Sequence, residues 1–401
     1  MGHINGCLVD KQRPEPTVEK KASLIVTSVH FLDEWSGGQY IRGMIFHLLH
    51  IGINMKHLNS VLVSMLLISL CLAGCIETES SINEVTQDPT LSDFVVPDPD
   101  VYQCFEFEGW DRCWLTYFPE NVNLSSKLPV IFELHGWAAS SFEMRNYTSI
   151  TSLADEVGAI VIHPEGLAIP NSGAFGENQE SWNSGVCCGD AKAQDINDSG
   201  FLIKLINNIT EEYPVDENRI YFTGWSNGCQ MAQRMALEAS HLIAAVACTS
   251  GYLGFTDDSQ YSPIPIMEMH GVLDEIAQYT NSGRLTFFEE DARTIEAIQN
   301  GAVENLYDWA AFNNCDGPIA DSNDPNTVYS IQRFISCENN TEVALFTSYS
   351  GGHNLYVNDI CDDISYDFVW SCLGNQGLYD THGIMWDFMS RYSKESGDET
   401  E

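Results

Sequence analysis

From about residue 100 onward, short apolar segments typical of strands alternate with segments of helical periodicity. The runs Leu128–Leu134 (LPVIFEL) and Gly158–Ile162 (GAIVI) are almost entirely apolar, as strands buried on both faces are. A helical pattern covers Asn227–Ser240. Strands that alternate with helices predict an α/β fold with a mostly parallel central sheet and helices on both faces. We find no internal repeat, so residues 99–393 are predicted to form a single domain.

Composition indicates a folded chain and excludes one class of partner. Of the 401 residues 44% are hydrophobic and 11% aromatic, which is enough to bury a large core. The chain has 18 Lys+Arg against 57 Asp+Glu, a formal net charge of −39. Because phosphate binding needs clustered Lys and Arg, we expect no nucleic-acid partner.

An apolar segment near the N-terminus has the properties of an export signal. Val61–Gly74 (VLVSMLLISLCLAG) is shorter than the about 20 residues of a membrane-spanning helix and fits the roughly 7–15 of a signal-peptide core. It ends in LAGC over residues 72–75, which resembles a bacterial or archaeal lipobox, where the cysteine thiol receives a lipid. We predict a lipoprotein signal peptide over residues 55–75, and a cell-surface protein tethered to the membrane by a lipid on Cys75. A plain signal peptide and a buried core helix are the alternatives.

The segments around this signal are not predicted to belong to the folded domain. Residues 1–54 contain short apolar pieces without a clear period, and export signals stand at the N-terminus. We therefore expect the native protein to start at Met55, with residues 1–54 not part of it. Residues 76–98 are polar, acidic and interrupted by proline, as flexible tethers are, and residues 394–401 form an acidic tail. We interpret the remaining negative charge as surface solvation.

The strongest motif in the chain is GWSNG at residues 224–228, between the strand pattern IYFT and the helical pattern NGCQMAQRMALEA. In that setting G-x-S-x-G forms a nucleophile elbow: the glycines admit a tight, strained turn, and the turn lifts the serine hydroxyl above the sheet. We predict Ser226 as a catalytic nucleophile. A surface turn that precedes a helix is the alternative.

A serine nucleophile needs a base and an acid, and in α/β folds of this kind these follow in the order serine, acid, histidine. His353 lies in the glycine-rich segment YSGGH directly after the last predicted strand, whereas its alternative, His382, stands at the start of the final helix. Asp274 follows the strand pattern IPIMEM within MHGVLDE. We predict His353 as the base and Asp274 as the acid. The alternatives for the acid are Asp257, Asp258 and Glu275.

The positions of these motifs also suggest residues for an oxyanion hole and a substrate pocket. The oxyanion hole should use the backbone N–H of Asn227, the residue after the nucleophile, and the N–H of Trp137, which follows the strand VIFEL and His-Gly. Trp182, in SWNSG, and Trp225 are candidates for the wall of a substrate pocket. Core packing is the alternative for both indoles.

Several of these segments together resemble one known family. FELHGWAAS, SWNSGVCCGDA, YPVDENRIYFTGWSNG, MHGVLDE and SGGH resemble the esterases named for polyhydroxybutyrate depolymerase, to which feruloyl and acetylxylan esterases are related, and the likeness covers roughly residues 105–390. The resemblance implies an α/β-hydrolase fold and hydrolysis of carboxylic esters. It also implies that Ser226, Asp274 and His353 are the nucleophile, acid and base.

The 13 cysteines suit an oxidising compartment. Without Cys75 and the two cysteines that precede it, ten remain, an even number that can pair. Cys229 departs from the S-x-G-G pattern of the family, and we expect it to be buried or bonded to the Cys187-Cys188 pair. Residues 354–380 are longer than usual in the family and could overhang the site. Proximity suggests the disulfides Cys104–Cys113, Cys315–Cys337 and Cys361–Cys372.

Together these features predict an exported serine carboxylic-ester hydrolase that acts on a small-molecule or polymeric ester. No Cys/His set has zinc spacing, and the calcium-like loop that starts at Asp195 has Ile206 in place of the required glutamate. We therefore predict no metal and no cofactor. A serine peptidase of the same fold and a catalytically silent surface-binding protein are the alternatives.

Overall fold

The structure, a computed structural model, describes residues 94–394 except 121, 123–124, 149, 173–177, 186, 255–256, 275, 281–300, 317–319, 323–327 and 355–378. The predictions for residues 1–54, for the signal peptide 55–75 with Cys75, and for most of the tether 76–98 lie outside the described residues. So do those for Glu275, Cys361 and Cys372, most of the 354–380 segment and nearly all of the 394–401 tail.

The described strands belong to one sheet. In chain order they are β1 (Gln103–Phe107), β2 (Trp110–Tyr117), β3 (Leu128–Leu134), β4 (Ile160–Pro164), β5 (Val215–Gly224), β6 (Ala245–Thr249), β7 (Ile266–Gly271), β8 (Ala320–Ser322), β9 (Tyr329–Phe334) and β10 (Val343–Ser348).

The sheet is parallel in its centre and antiparallel at both edges. The strand order is β1-β2-β4-β3-β5-β6-β7-β10-β9-β8, and β4, β3, β5, β6, β7 and β10 run parallel. Strands β2 and β9 flank this centre in the antiparallel sense. This is the sheet of an α/β-hydrolase, so the predicted fold class is confirmed.

Helices cover both faces of the sheet. They are α1 (Ser141–Tyr147), α2 (Ile150–Val157), α3 (Gly189–Ala193), α4 (Asp198–Glu212), α5 (Asn227–Glu238), α6 (Ala302–Phe312) and α7 (Thr381–Met389), with a short 3₁₀ turn at Glu338–Asn340. Apolar residues of α4, α5 and α6 pack on one face, and those of α2 and α7 pack on the other. Both faces are thus removed from water, which explains why the central strands are apolar throughout.

Strand β3 illustrates how the sequence produces this core. Its seven side chains are all buried, and alternate residues face opposite sides of the sheet. Phe132 stacks on Phe222 of β5 with ring centroids 4.6 Å apart, while Ile131 packs in the core of the opposite face. Each such burial contributes about 1.5–3 kcal/mol. The carboxyl end of β3 leads directly to the His135-Gly136-Trp137 loop.

Four elements were absent from the sequence interpretation. Helices α1 and α3 have only seven and five residues, and strands β8 and β9 lie at the edge of the sheet, where residues need not be apolar. Helix α1 does carry a local signal, because Ser140 and Glu143 form a reciprocal capping box.

The cysteine pairing agrees with the prediction in part. Cys104 is bonded to Cys113, its register partner across β1 and β2, and Cys315 is bonded to Cys337. Cys229 is fully buried, which confirms one of the two expectations for it, whereas the other, a bond to the Cys187-Cys188 pair, is wrong. Cys229 of α5 is bonded to Cys248 of β6, because α5 packs directly on that strand, and Cys187 is bonded to its neighbour Cys188.

Candidate active site

A strained turn joins β5 to α5 and carries Ser226 at its tip. The backbone of Ser226 has φ 55° and ψ −118°, a left-handed conformation that non-glycine residues rarely adopt. A Cβ on Gly224 would lie 2.7 Å from the backbone of Gly228, and one on Gly228 would overlap the Leu134 carbonyl oxygen. The two glycines of GWSNG are therefore required by the close approach of β3, β5 and α5.

Ser226, His353 and Asp274 form one hydrogen-bonded series. The Nε2 atom of His353 lies 2.9 Å from the Oγ atom of Ser226, and its Nδ1 atom lies 2.9 Å from Oδ2 of Asp274. The imidazole of His353 is buried to 5% exposure. The structure thus brings together the three residues that the sequence proposed as nucleophile, base and acid, and their catalytic roles remain a prediction.

The loop after β7 fixes the carboxylate of Asp274. Its Oδ1 atom accepts hydrogen bonds from the backbone N–H groups of Ile276, at 2.9 Å, and Ala277, at 2.7 Å. Its Oδ2 atom faces His353, and Nε2 of His270 stands 3.4 Å from it. Burial raises the pKa of Asp274, but His353 and His270 outweigh that effect and hold the pKa below its ordinary value. The group is therefore ionised at neutral pH.

The alternative residues lie elsewhere. His382, the second candidate base, has its Nε2 atom 3.3 Å from Oε1 of Glu133. The carboxylate of Asp257 is exposed and accepts a hydrogen bond from the backbone N–H of Ser259. Asp258 is also exposed, on the same loop.

The two segments predicted to form the oxyanion hole meet beside Ser226. A Cβ on Gly136 would lie 2.9 Å from the indole of Trp225, so the loop that carries Trp137 packs against the elbow. The amide side chain of Asn227 accepts a hydrogen bond from the Trp182 backbone N–H, at 2.8 Å, and donates to the Trp182 carbonyl at 3.0 Å. Oxyanion binding by the Trp137 and Asn227 N–H groups stays a prediction.

The two candidate pocket indoles are buried. Trp182 has no exposed surface, packs in the core around β3 and α4, and donates its Nε1–H to the His135 carbonyl at 3.0 Å. Trp225 is 2% exposed, and its ring lies 5.6 Å from that of His353. Because protein atoms cover both rings, Trp182 packs in the core and Trp225 lies beside the imidazole of His353, and a pocket role for Trp225 stays a prediction.

Two features around this site were not predicted from the sequence. The Asn227 side chain, which was considered only for its backbone N–H, ties the elbow to residues 182–187, because it also donates to the Cys187 carbonyl at 2.8 Å. Glu268 and His270 on β7 are buried next to Asp274. The MEMHG segment signalled the second feature, since a glutamate inside a buried strand requires a partner.

No metal centre accompanies the site within the part of the chain that the structure describes. There, no group of three or more His, Cys, Asp or Glu side chains is placed to hold a metal ion. Among the same residues, no helix is long and apolar enough to span a membrane.

Part of the chain matches a known protein family. Residues 113–280 match the family described as Esterase PHB depolymerase, a range that includes the elbow and Asp274. Over this range the chain is similar to the polyhydroxybutyrate depolymerase family of esterases. The same range contains HGW after β3 and GWSNG after β5.

The chain is also similar to individual esterases. The chain is 28% identical over 243 residues to feruloyl esterase B of Piromyces equi, covering 59% of this chain and 41% of that protein. It is 26% identical over 172 residues to the bifunctional acetylxylan esterase/xylanase XynS20E of Neocallimastix patriciarum, covering 43% and 23%. The chain thus spans less than half the length of these curated relatives. An acetyl xylan esterase structure from Aspergillus awamori superimposes with a TM-score of 0.44 at 15% identity, covering 65% of this chain and 94% of that one.

Proposed function

We propose that this protein is an exported serine esterase that hydrolyses carboxylic esters through Ser226, His353 and Asp274. The observation that carries the proposal is the hydrogen-bonded series from the Ser226 hydroxyl through His353 to Asp274, at the tip of a strained elbow. The esterase family of the domain supports the same chemistry.

In the proposed reaction each of the three side chains has a defined role. Asp274, ionised and buried, accepts the Nδ1–H of His353 and so leaves its Nε2 unprotonated toward Ser226. As the Ser226 oxygen attacks the ester carbonyl, Nε2 takes the hydroxyl proton and returns it to the departing alcohol. A water molecule, activated by the same imidazole, then hydrolyses the acyl-enzyme. The N–H groups of Asn227 and Trp137 would stabilise the negative charge that develops on the carbonyl oxygen.

For the substrate, we propose soluble carboxylic esters, such as feruloylated or acetylated glycans and short hydroxyalkanoate oligomers. The names of the family and of the two relatives, which specify feruloyl esterase and acetylxylan esterase, support this class. A panel that compares p-nitrophenyl acyl esters, methyl ferulate and hydroxybutyrate oligomers by kcat/KM would rank these substrates. Cleavage of peptides in preference to every ester would contradict the proposal.

We also propose that the protein acts outside the cytoplasm and is tethered by a lipid on Cys75. The LAGC sequence at residues 72–75 and the disulfides of the folded domain support export, because disulfides persist in oxidising compartments. Membrane fractionation and mass spectrometry of the N-terminal peptide test the tether. The Cys75→Ser variant should lose the lipid and leave the membrane fraction, whereas an unmodified Cys75 in the wild type would contradict the proposal.

Three variants test the active site: one at the proposed nucleophile and a matched pair at two histidines. Ser226→Ala should lower kcat by about 10⁶-fold and abolish labelling by a fluorophosphonate probe. His353→Gln should also abolish labelling, because the hydroxyl loses its base. His382→Gln is the control: it removes a buried imidazole that contacts Glu133 and should preserve labelling. Normal labelling of Ser226→Ala, or its loss only in His382→Gln, would overturn the assignment.

A further inference from the structure

A second pair of an acid and an imidazole lies directly behind Asp274. Glu268 and His270 stand two residues apart on β7, so their side chains face the same side of the sheet. The side chains have 2% and no exposure, respectively. Neither group takes part in the steps assigned to the triad, yet a buried carboxylate and a buried imidazole are costly unless each has a partner.

The contacts of His270 define where its protons lie. Its Nε2 atom is 2.6 Å from the carbonyl oxygen of Ala277 and 3.4 Å from Oδ2 of Asp274. Because a carbonyl oxygen only accepts, Nε2 must carry a hydrogen, which lies between the carbonyl and the Asp274 carboxylate. The Nδ1 atom is in close contact with Oε1 of Glu268.

A proton must also lie in the contact between Glu268 and His270, because otherwise the lone pairs of two acceptors would face each other. This contact therefore holds one proton, and the pair has no net charge. Burial lowers the pKa of His270, but the Glu268 carboxylate reverses this and raises the pKa to about 9. At neutral pH the imidazole is the cation, and the positive end of the pair points at Asp274.

Two phenols, a carboxylate and a second imidazole complete the surroundings of His270. The ring of Tyr252 stacks on the imidazole with centroids 5.7 Å apart, and that of Tyr279 lies 6.1 Å away. Burial raises the pKa of both phenols, so both are neutral in the working range. Glu304 of α6 contributes negative charge that acts on the same two phenols. His353 stands across Asp274 from His270, since both imidazoles contact Oδ2.

We propose that Glu268 and His270 are positioning residues that orient the Asp274 carboxylate and offset part of its charge, so that His353 remains an effective base in mildly acidic solution. This inference rests on the proposed esterase function. The physical reason is that a cation beside Asp274 opposes protonation of the next imidazole. A purely structural pair would stabilise the fold without changing how activity depends on pH.

The Glu268→Gln variant separates the two roles. Glutamine keeps the volume and a hydrogen bond to Nδ1 but removes the counter-ion, so His270 becomes neutral. We expect the acid limb of the pH profile, for kcat/KM and for the rate of Ser226 labelling by a fluorophosphonate, to move upward by roughly half to one pH unit. At pH values below this limb the rates of the variant should then be about 3- to 10-fold lower than those of the wild type, and at pH values above it the two should be similar.

Glu133→Gln is the matched control. Glu133 is also a buried glutamate with imidazole partners, His163 and His382, but it contacts neither Asp274 nor His353. Its variant should retain the wild-type acid limb. An unshifted limb in Glu268→Gln, or an equal shift in both variants, would overturn the positioning role. Absence of labelling in the wild type would instead overturn the proposed function.

Two further measurements test the proposal even if the Glu268→Gln variant does not fold. The double variant Glu268→Gln/His270→Gln removes both charges together, and it should show the same upward shift. In the wild-type protein, ¹⁵N NMR of the histidine rings should show both ring N–H groups of His270 up to about pH 9. Loss of one of these protons below pH 7 would contradict the proposal directly.

Discussion

The Nε2 atom of His353 and the Oγ atom of Ser226 are 2.9 Å apart, although 127 residues separate them in the chain. Ser226 follows β5, and His353 follows β10. Both strands belong to the parallel centre of the sheet, so their carboxyl ends reach the same edge. Asp274, after β7, reaches that edge by the same route. The topology of the sheet thus assembles the proposed catalytic groups from three distant segments.

The Asp274→Asn variant should lower kcat by about 10⁴-fold while the protein still folds. Asparagine can keep the two hydrogen bonds that Oδ1 accepts from Ile276 and Ala277. Its amide nitrogen, however, would face His353 Nδ1 as a donor and favour the tautomer that cannot accept the Ser226 proton. Steady-state kinetics and thermal unfolding provide the two measurements. A variant with more than roughly a tenth of the wild-type kcat would contradict the role of Asp274.

The disulfide between Cys229 and Cys248 should be found by peptide mapping under non-reducing conditions. It fastens the helix after the elbow to β6. Replacing both cysteines with alanine should lower the free energy of unfolding by about 3 kcal/mol, because the unfolded chain regains the freedom of the closed loop. Urea unfolding of the double variant checks this value. A peptide that links Cys229 to Cys187 or Cys188 would show that the pairing is different.

Removing one partner of the buried ion pair between Arg112 and Asp198 should strongly lower the free energy of unfolding. The Nη2 atom of Arg112 lies 2.6 Å from Oδ1 of Asp198, and both side chains are at most 1% exposed. Arg112→Met leaves an uncompensated buried carboxylate, so we expect a loss of about 3–5 kcal/mol in urea unfolding, and Arg112→Met/Asp198→Asn should recover part of it.

A surface pair provides the control for that experiment. Arg219 and Asp216 also lie 2.6 Å apart, but their side chains are 38% and 25% exposed. Arg219→Met should therefore change the free energy of unfolding by less than about 1 kcal/mol. If Arg112→Met and Arg219→Met lowered the free energy of unfolding equally, burial would not determine how much an ion pair contributes to stability.

Glu133 should contribute stability that depends on pH. Burial raises its pKa, but hydrogen bonds and charge from His163 and His382 lower it below the ordinary value of 4.5. A carboxyl whose pKa is lower in the folded state stabilises the fold above its unfolded pKa and loses that contribution as the pH falls.

Glu133→Gln tests this linkage. We expect the variant to be less stable than the wild type by about 1–3 kcal/mol at pH 7, and the difference to shrink below pH 4.5, where the unfolded carboxyl becomes protonated. Urea unfolding at both pH values, followed by tryptophan fluorescence, provides the measurement. A difference that is constant with pH would contradict the linkage.

Much of the fold could be predicted from local patterns. Strand β3 has the predicted bounds and helix α5 begins at the predicted residue Asn227, because an apolar run and a helical period are properties of residues close in sequence. The elbow was predictable for the same reason, since its glycines and serine are consecutive. Strand β9, which lies next to the edge strand β8, was not, because its partly exposed residues do not differ from a loop in composition.

Local patterns were enough to predict the alternation of strands and helices, the motif around Ser226 and the order in which an acid and a histidine follow it. Three features became visible only in the folded molecule: the place of Trp182 in the core, the bond between Cys229 and Cys248, and the position of Glu268 and His270 next to Asp274. Local hydrogen bonding and hydrophobic period act between near neighbours, whereas burial, ion pairing and disulfide geometry depend on distances that exist only once the sheet has formed.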